Sequence, residues 1–345
     1  TRLPSDVFGE IREMHPLLTS KFNNITLRHA VKDYVSNSRA KMYLVRKHGD
    51  ISQWDVSSVT NMSSLFAFYG ARSFNQPLNN WNVSSVTNMT DMFALAESFN
   101  QPLNNWDVSN VTNMEGMFHE ARSFNQPLNN WDVSKVTSME SMFGCKLFGG
   151  HSTRSFNQPL NNWNVSNVTN MCRMFCSAKP FNQPLKKWNV SKVTNMEGMF
   201  EYAESFNRPL NNWNVSNVTT MTQMFNCAES FNQPLNDWNV SNVEEMNWMF
   251  KQAWSFNQPL NNWNVSKVTN MEYMFFETDF NQPLNNWNVS NVTNMNWMFH
   301  TAESFNQPLN NWNVSNVTDM YGMFRGADSF NQPLHAPWYH YDLYS

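Results

Sequence analysis

Charge is scarce in this chain of 345 residues: only 14% are Asp, Glu, Lys or Arg, and the formal net charge is -4. So weak a field argues against a nucleic-acid partner. Long apolar runs are missing as well, since no stretch of 18 apolar residues occurs, and no segment reads as a transmembrane helix. Thr1 opens the chain without a charged region followed by an apolar one, so a signal peptide is read as already removed or never present. Cysteine is limited to Cys145, Cys172, Cys176 and Cys227, which fall at unrelated places and do not form a disulfide framework. Cys172 and Cys176 lack a second pair at metal-ligand spacing, so buried thiols are expected rather than zinc.

Catalytic signals are absent too. The eight histidines, His15, His29, His48, His119, His151, His300, His335 and His340, are scattered, and no serine, cysteine or carboxylate sits in a nucleophile motif. Glycine-rich phosphate loops do not occur. The chain therefore reads as non-enzymatic, without cofactor or metal.

What is present is repetition. Trp54, Trp81, Trp106, Trp131, Trp163, Trp188, Trp213, Trp238, Trp263, Trp287 and Trp312 are separated by 27, 25, 25, 32, 25, 25, 25, 25, 24 and 25 residues. Each marks a unit close to FNQPLNNWNVSNVTNMxxMFxxAxS. A fixed period of about 25 residues is the mark of a solenoid. Eleven of the 15 prolines, 11 of the 15 tryptophans and 21 of the 23 methionines occupy repeat positions, so stacking explains the odd composition. One coil offers about seven large apolar side chains, worth on the order of 10–20 kcal/mol when buried. Ordering about 25 backbones costs on the order of 25–50 kcal/mol. Each coil must therefore be buried between neighbours, and the array needs caps.

Within a coil, Leu78-x-x-Trp81-x-Val83 has leucine-rich-repeat spacing and predicts a short parallel strand with Trp81 and Val83 inward and Asn80, Asn82 and Ser84 outward. Met89, Met92, Phe93 and Ala96 fall at i, i+3, i+4 and i+7, which predicts a short helical segment. Thr112-x-x-Glu115 and its counterparts at Thr137, Thr194 and Thr269 match a capping box. A competing reading makes Val-Thr-Asn-Met a second strand. FNQPL suits the corner, and asparagine at one register can form a ladder along the stack. The same asparagines create sequons such as Asn82-Val-Ser84, Asn167-Val-Thr169 and Asn316-Val-Thr318. These are expected either to avoid the secretory route or to be sterically silent. The fold class is thus a repeat solenoid, α/β and leucine-rich-repeat-like, of about eleven coils, each with a short parallel strand and a short helix.

Three regions follow. Residues 1–50 lack the repeat and hold nine Lys+Arg against five Asp+Glu; Leu27, Ala30, Val31, Tyr34 and Val35 after Thr26, with Gly49 ending a second helix, predict a helical N-terminal cap. Residues 51–334 form the array. Residues 335–345 read as a C-terminal cap or tail with Trp338, Tyr339, Tyr341 and Tyr344. One coil is seven residues longer, so the segment 144–154, with Phe148, is expected to bulge as a loop.

Positions that differ between coils carry the functional reading. The residue before the second methionine is Trp248, Tyr273 and Trp297 in three successive coils, with Trp254 nearby. This stripe is either an interaction surface, to which Phe148 could add, or a structural stack in which each ring covers its neighbour.

The repeat resembles that of the BspA-like leucine-rich surface proteins, also called DUF285, found in bacterial surface lipoproteins and in large viruses and their algal or protist hosts. Resemblance covers residues 51–334 and implies a leucine-rich-type solenoid in surface attachment or protein recognition. The start, Leu3-Pro4-Ser5-Asp6-Val7 through Ile11, looks more like giant-virus and algal members. Two functions follow as expectations: a module binding a protein or glycan at a cell or virion surface, or an architectural part of an assembly such as a virus particle. Free cysteines favour assembly in a reducing compartment.

Overall fold

A computed structural model describes residues 21–146 and 155–332. Phe148, the tail aromatics after 332 and the segment 3–11 lie outside the described residues. The repeats stack as a solenoid with one continuous core from Phe22 to Phe330. Ten parallel bridges, from Asn61–Asn88 through Asn294–Asp319, join each coil to the next at the same register.

The coil around Trp188 shows how the sequence builds the unit. Thr194 donates its N–H to the Thr169 carbonyl of the preceding coil at 2.9 Å. Met196, Gly198, Phe200 and Tyr202 donate forward to Thr220, Thr222, Met224 and Asn226 of the following coil at 2.7–3.3 Å. Between these rungs, the N–H groups of Met199, Glu201 and Ala203 close turns onto Met196, Gly198 and Phe200. Gly198 and Tyr202, each third in a turn, have φ of 56° and 54°, the sign pattern of type II turns.

The helix expected at Met-x-x-Met-Phe is therefore not formed in the described repeats; consecutive turns stand in its place. A helix would spend its N–H groups on its own carbonyls, whereas here alternate N–H groups bond across coils. The apolar stripe remains correct, because Met196, Met199, Phe200 and Ala203 are all fully buried: two turns of four residues return to the same side as a helical turn does. Nor does the capping box form. Thr194 Oγ1 bonds the Thr169 carbonyl at 3.3 Å, and it is Asn195 Oδ1 that accepts from the Glu197 N–H, at 2.8 Å.

Among the described residues the strand expected at Trp-x-Val is also absent. Trp188 and Val190 point inward and Asn189 outward, but the N–H of Trp188 turns back to Leu185, at 3.1 Å. Parallel pairing runs instead through Val-Thr-Asn-Met, as single bridges, because the left-handed residue three positions beyond the bridge interrupts regular pleating.

Side chains supply the missing rungs on the Trp side. From Trp106 to Trp312 each indole Nε1–H donates to the leucine carbonyl of the coil before, at 2.8–3.2 Å. The asparagine ladder is real and sits in FNQPL. From Asn100 to Asn331 each Asn N–H donates to the Oδ1 of its counterpart in the preceding coil, at 3.0–3.2 Å. The outward Asn214, by contrast, accepts only from Ser216 N–H within its own coil. Sequon residues Asn167 and Asn316 donate Nδ2 to Ser134 and Ser290 carbonyls at 2.8 and 2.7 Å, so glycosylation there would remove an inter-coil bond.

Two phenylalanine columns fill the core. Phe175, Phe200 and Phe225 stack at 5.7–5.8 Å, and Phe181, Phe206 and Phe231 at 6.0 Å. Both columns continue across the long coil, where Phe143 and Phe175 lie 5.9 Å apart and Phe124 and Phe156 6.3 Å. The extra residues thus leave the stack in register.

Two helices close the first coil. Helix α1, Asn24–Ser36, starts where the Asn23 side chain accepts from Ile25 and Thr26 N–H. Helix α2, Ser38–His48, is capped at its start by Asn37 and ends at Gly49, whose φ of 76° is the left-handed conformation glycine adopts freely. Leu27, Ala30, Val31 and Tyr34 are buried, and Phe22 stacks on Trp54 at 4.9 Å.

His48 makes this cap sensitive to acid. Its ring is buried 4.7 Å from Phe22. Burial, and secondarily the Lys47 charge, push its pKa below the ordinary value. The folded state thus favours neutral His48, so its contribution is present above about pH 6.5 and is lost as pH falls towards the depressed folded value. Thermal melts from pH 7.5 to pH 5 are expected to show a loss that His48→Gln reduces. Identical pH profiles for the two proteins would refute this.

Candidate interaction surface

Invariant residues build the core, and variation concentrates on the corner of consecutive turns. Its two left-handed registers are Ser64, Asp91, Gly116, Ser141, Arg173, Gly198, Gln223, Trp248, Tyr273, Trp297 and Gly322, and, four residues on, Leu95, Glu120, Ser177, Tyr202, Cys227, Gln252, Glu277, Thr301 and Gly326. The inter-coil backbone ladder thus presents variable side chains at fixed spacing along one edge of the stack.

Trp248, Tyr273 and Trp297 come together there, each half-buried. Ring centroids are 4.9 Å apart between Trp248 and Tyr273 and 6.1 Å between Tyr273 and Trp297, the latter pair inclined by only 12°. Tyr321 meets Trp297 edge-on at 5.0 Å. Gly322 clears the space: a Cβ there would lie 2.9 Å from the Trp297 ring.

A second row completes the cluster. Lys251, Phe276, His300 and Arg325 stand three residues after the stripe positions in successive coils. Lys251 Nζ lies 4.1 Å from the Trp248 ring centre, 5.4 Å from that of Tyr273 and 5.2 Å from that of Phe276, a triple cation–π contact. Phe276 and His300 are 4.9 Å apart, and His300 packs edge-on to Trp297 at 4.5 Å. Burial raises the Tyr273 hydroxyl pKa and lowers that of the His300 ring. This second row was not singled out from the sequence. Its signal was available: the residue after each Met-Phe varies as freely as the stripe does.

Trp254 is 49% exposed, yet it makes no ring contact with the stripe among the described residues. It belongs to a different register, shared with Lys179 and Glu204, which pair across adjacent coils. Phe148 falls outside the described residues.

Backbone conformation gives the stripe its significance. Trp248, Tyr273 and Trp297 hold φ of 64°, 53° and 57°. Each such left-handed residue costs on the order of 1–3 kcal/mol. Glycine occupies the same register at Gly116, Gly198 and Gly322, so the repeat accommodates a residue without that cost.

Among the described residues no group of three or more His, Cys, Asp or Glu is placed to hold a metal ion, and no helix is long and apolar enough to cross a membrane.

The profile described as Mycoplasma protein of unknown function, DUF285, matches residues 37–151, 145–262 and 244–341. No curated protein matches the chain.

Proposed function

This chain belongs to the DUF285 family, whose function is unknown, and we propose that it is a recognition solenoid that binds a protein partner through the corner carrying Trp248, Tyr273 and Trp297. The observation that supports this reading is three bulky aromatics kept in left-handed conformations where glycine serves other coils. Stacking alone does not require them, because the core beneath is the same in every coil. A partner that must find one register on a periodic surface needs residues the repeat leaves variable.

A protein fits better than a glycan. A sugar ring packs on an open aromatic face, but Tyr273 and Trp297 cover one another and Lys251 covers Trp248. Ring edges and the Lys251 and Arg325 cations remain to meet side chains and backbone of a partner.

Replacing Trp248, Tyr273 and Trp297 together by glycine tests this. Relief of backbone strain offsets lost ring packing, so the denaturant midpoint is expected to move by no more than about 2 kcal/mol in stability. Partner retention on immobilised protein, read by comparative mass spectrometry, should vanish in the variant and survive in Tyr69→Ser, which alters an exposed aromatic elsewhere. A loss of stability well beyond that range would make the stripe a structural stack, and unchanged retention would move the binding surface elsewhere.

A further inference from the structure

The long coil interrupts the ladder at the fourth rung on both of its sides. In neighbouring coils the fourth rung runs from Leu95 N–H to the His119 carbonyl at 2.8 Å and from Tyr202 N–H to the Asn226 carbonyl at 2.7 Å. Among the described residues Glu120 and Cys145, the corresponding positions around the long coil, make no such bond. Cys145 does not adopt the left-handed φ of its counterparts Glu120 and Ser177, because the chain is leaving the repeat. Where the rung is missing, two thiols meet: Cys145 Sγ lies 2.7 Å from Cys176 Sγ in the next coil. Both cysteines are free and buried. Gly144 makes the approach possible, since a Cβ on it would fall 1.9 Å from the Arg173 carbonyl oxygen and 3.0 Å from the Cys176 nitrogen.

We infer that Cys145 and Cys176 form a peroxide-reactive dithiol that closes to an inter-coil disulfide, replacing the missing rung next to the extra residues of the long coil. Cys145 is set apart from the other three cysteines; the hydrogen bond to Cys145, and then burial, push the Cys176 thiol well up, so that Cys176 is the resolving partner that needs a base. Burial pushes Cys172 up to about 12 and Cys227 to about 11, so both stay protonated and inert. At Cys145 the hydrogen bond from Cys176, joined by one from the Ser177 hydroxyl at 3.7 Å, favours the thiolate and lowers the pKa. The one Cys176 proton can turn instead to Glu201, 2% exposed, whose Oε2 lies 3.5 Å from that sulfur; burial raises the Glu201 pKa and suits it to take a proton.

The chemistry balances with a hydroperoxide as oxidant. Cys145 thiolate attacks the terminal peroxide oxygen, the O–O bond breaks, and the leaving oxygen takes up the proton Cys145 had released, giving a sulfenic acid and, with hydrogen peroxide, water. Cys176 then passes its proton to Glu201 and its sulfur attacks that of Cys145. The S–O bond breaks, and the departing hydroxide takes the proton from Glu201. Two thiols are oxidised, one peroxide is reduced, and two waters leave.

Hydrogen peroxide with the full chain supplies the test. After treatment, unfolding and alkylation, two of the four cysteines are expected to be blocked. Digestion should yield a reducible Cys145–Cys176 peptide, with Cys172 and Cys227 alkylated. The oxidised protein should melt about 5 °C higher. Four alkylated cysteines, or a link through Cys172 or Cys227, would overturn the inference. Cys176→Ser should leave a sulfenic acid at Cys145 that a dimedone probe captures; capture elsewhere contradicts the assigned order. Glu201→Gln should reach the same disulfide at least ~10-fold more slowly, and an unchanged rate would remove Glu201 from the scheme. The wild-type mapping stands by itself should either variant fold poorly.

Discussion

Trp188→Ala is expected to cost about 3–5 kcal/mol, the range for emptying a large buried aromatic site. The Trp188 ring lies between Trp163 and Trp213, 6.4 and 6.3 Å away and parallel within 2°. It is 3% exposed. The cavity has little means of collapse, because the flanking rings belong to coils whose spacing is held by the backbone ladder and the asparagine column. Substitution also removes the donor to the Leu160 carbonyl, 3.0 Å away, which then keeps only the Trp163 N–H of its own coil, at 3.0 Å. Trp188→Phe retains most of the ring and loses the donor, so about 1–2 kcal/mol is expected for it. Asn214→Ala, on an exposed residue with a local bond to Ser216, should cost under about 1 kcal/mol. Denaturant melts order the three, and hydrogen exchange should show the loss centred on the coils beside Trp188, as nearest-neighbour coupling requires. Equal losses for Trp188→Ala and Asn214→Ala would mean that the tryptophan column does not carry the stack.

Much of this was legible in the sequence because a repeat compares itself. Positions repeated from coil to coil, such as Leu185, Trp188, Val190, Met196, Met199 and Phe200, are the buried ones. What spacing could not reveal was backbone conformation. Met196, Met199, Phe200 and Ala203 have helical periodicity, yet consecutive turns with left-handed third residues bury the same face. The discriminating sign was chemical: Gly116, Gly198 and Gly322 recur at one register inside a supposed helix, where glycine is disfavoured. Similarly, Trp188 was legible as core, but its Nε1 bond to Leu160 replaces the strand pairing that leucine-rich spacing suggested. At the candidate surface the stripe could be read from its bulk. Lys251 was legible only as a variable position, because a lysine there looks like a solvated charge until three rings are found around it.

Removing residues 21–50 is expected to make the chain associate in proportion to concentration, beyond any association of the intact chain. The reason lies in what the cap imitates. Asn24 Oδ1 accepts from Thr60 N–H at 2.9 Å and from Asn61 N–H at 3.2 Å, where later coils use the Thr carbonyl of the coil before, as Thr87 does with Thr60. Gly49 supplies the carbonyl for Trp54 Nε1 at 3.1 Å, in place of the leucine carbonyl used from Trp106 onward. Phe22 and Tyr34 cover the Trp54 ring at 4.9 and 5.5 Å, in place of a preceding tryptophan. The cap is thus a substitute coil, and its loss leaves an apolar face ringed by unpaired donors, which another chain can cover. Deleting residues 189–213 instead joins Trp188 to Asn214 and should leave a shorter monomer, because the next coil carries matching donors and acceptors at every register. Asn24→Ala, which removes the acceptor and keeps the apolar cover, should lower stability by about 1–3 kcal/mol without association. Light scattering over a concentration series separates the three proteins. A capless chain that stays monomeric with an unchanged melt would show that the first coil needs no cover, whereas association of the 189–213 deletion would show that the coils are not interchangeable.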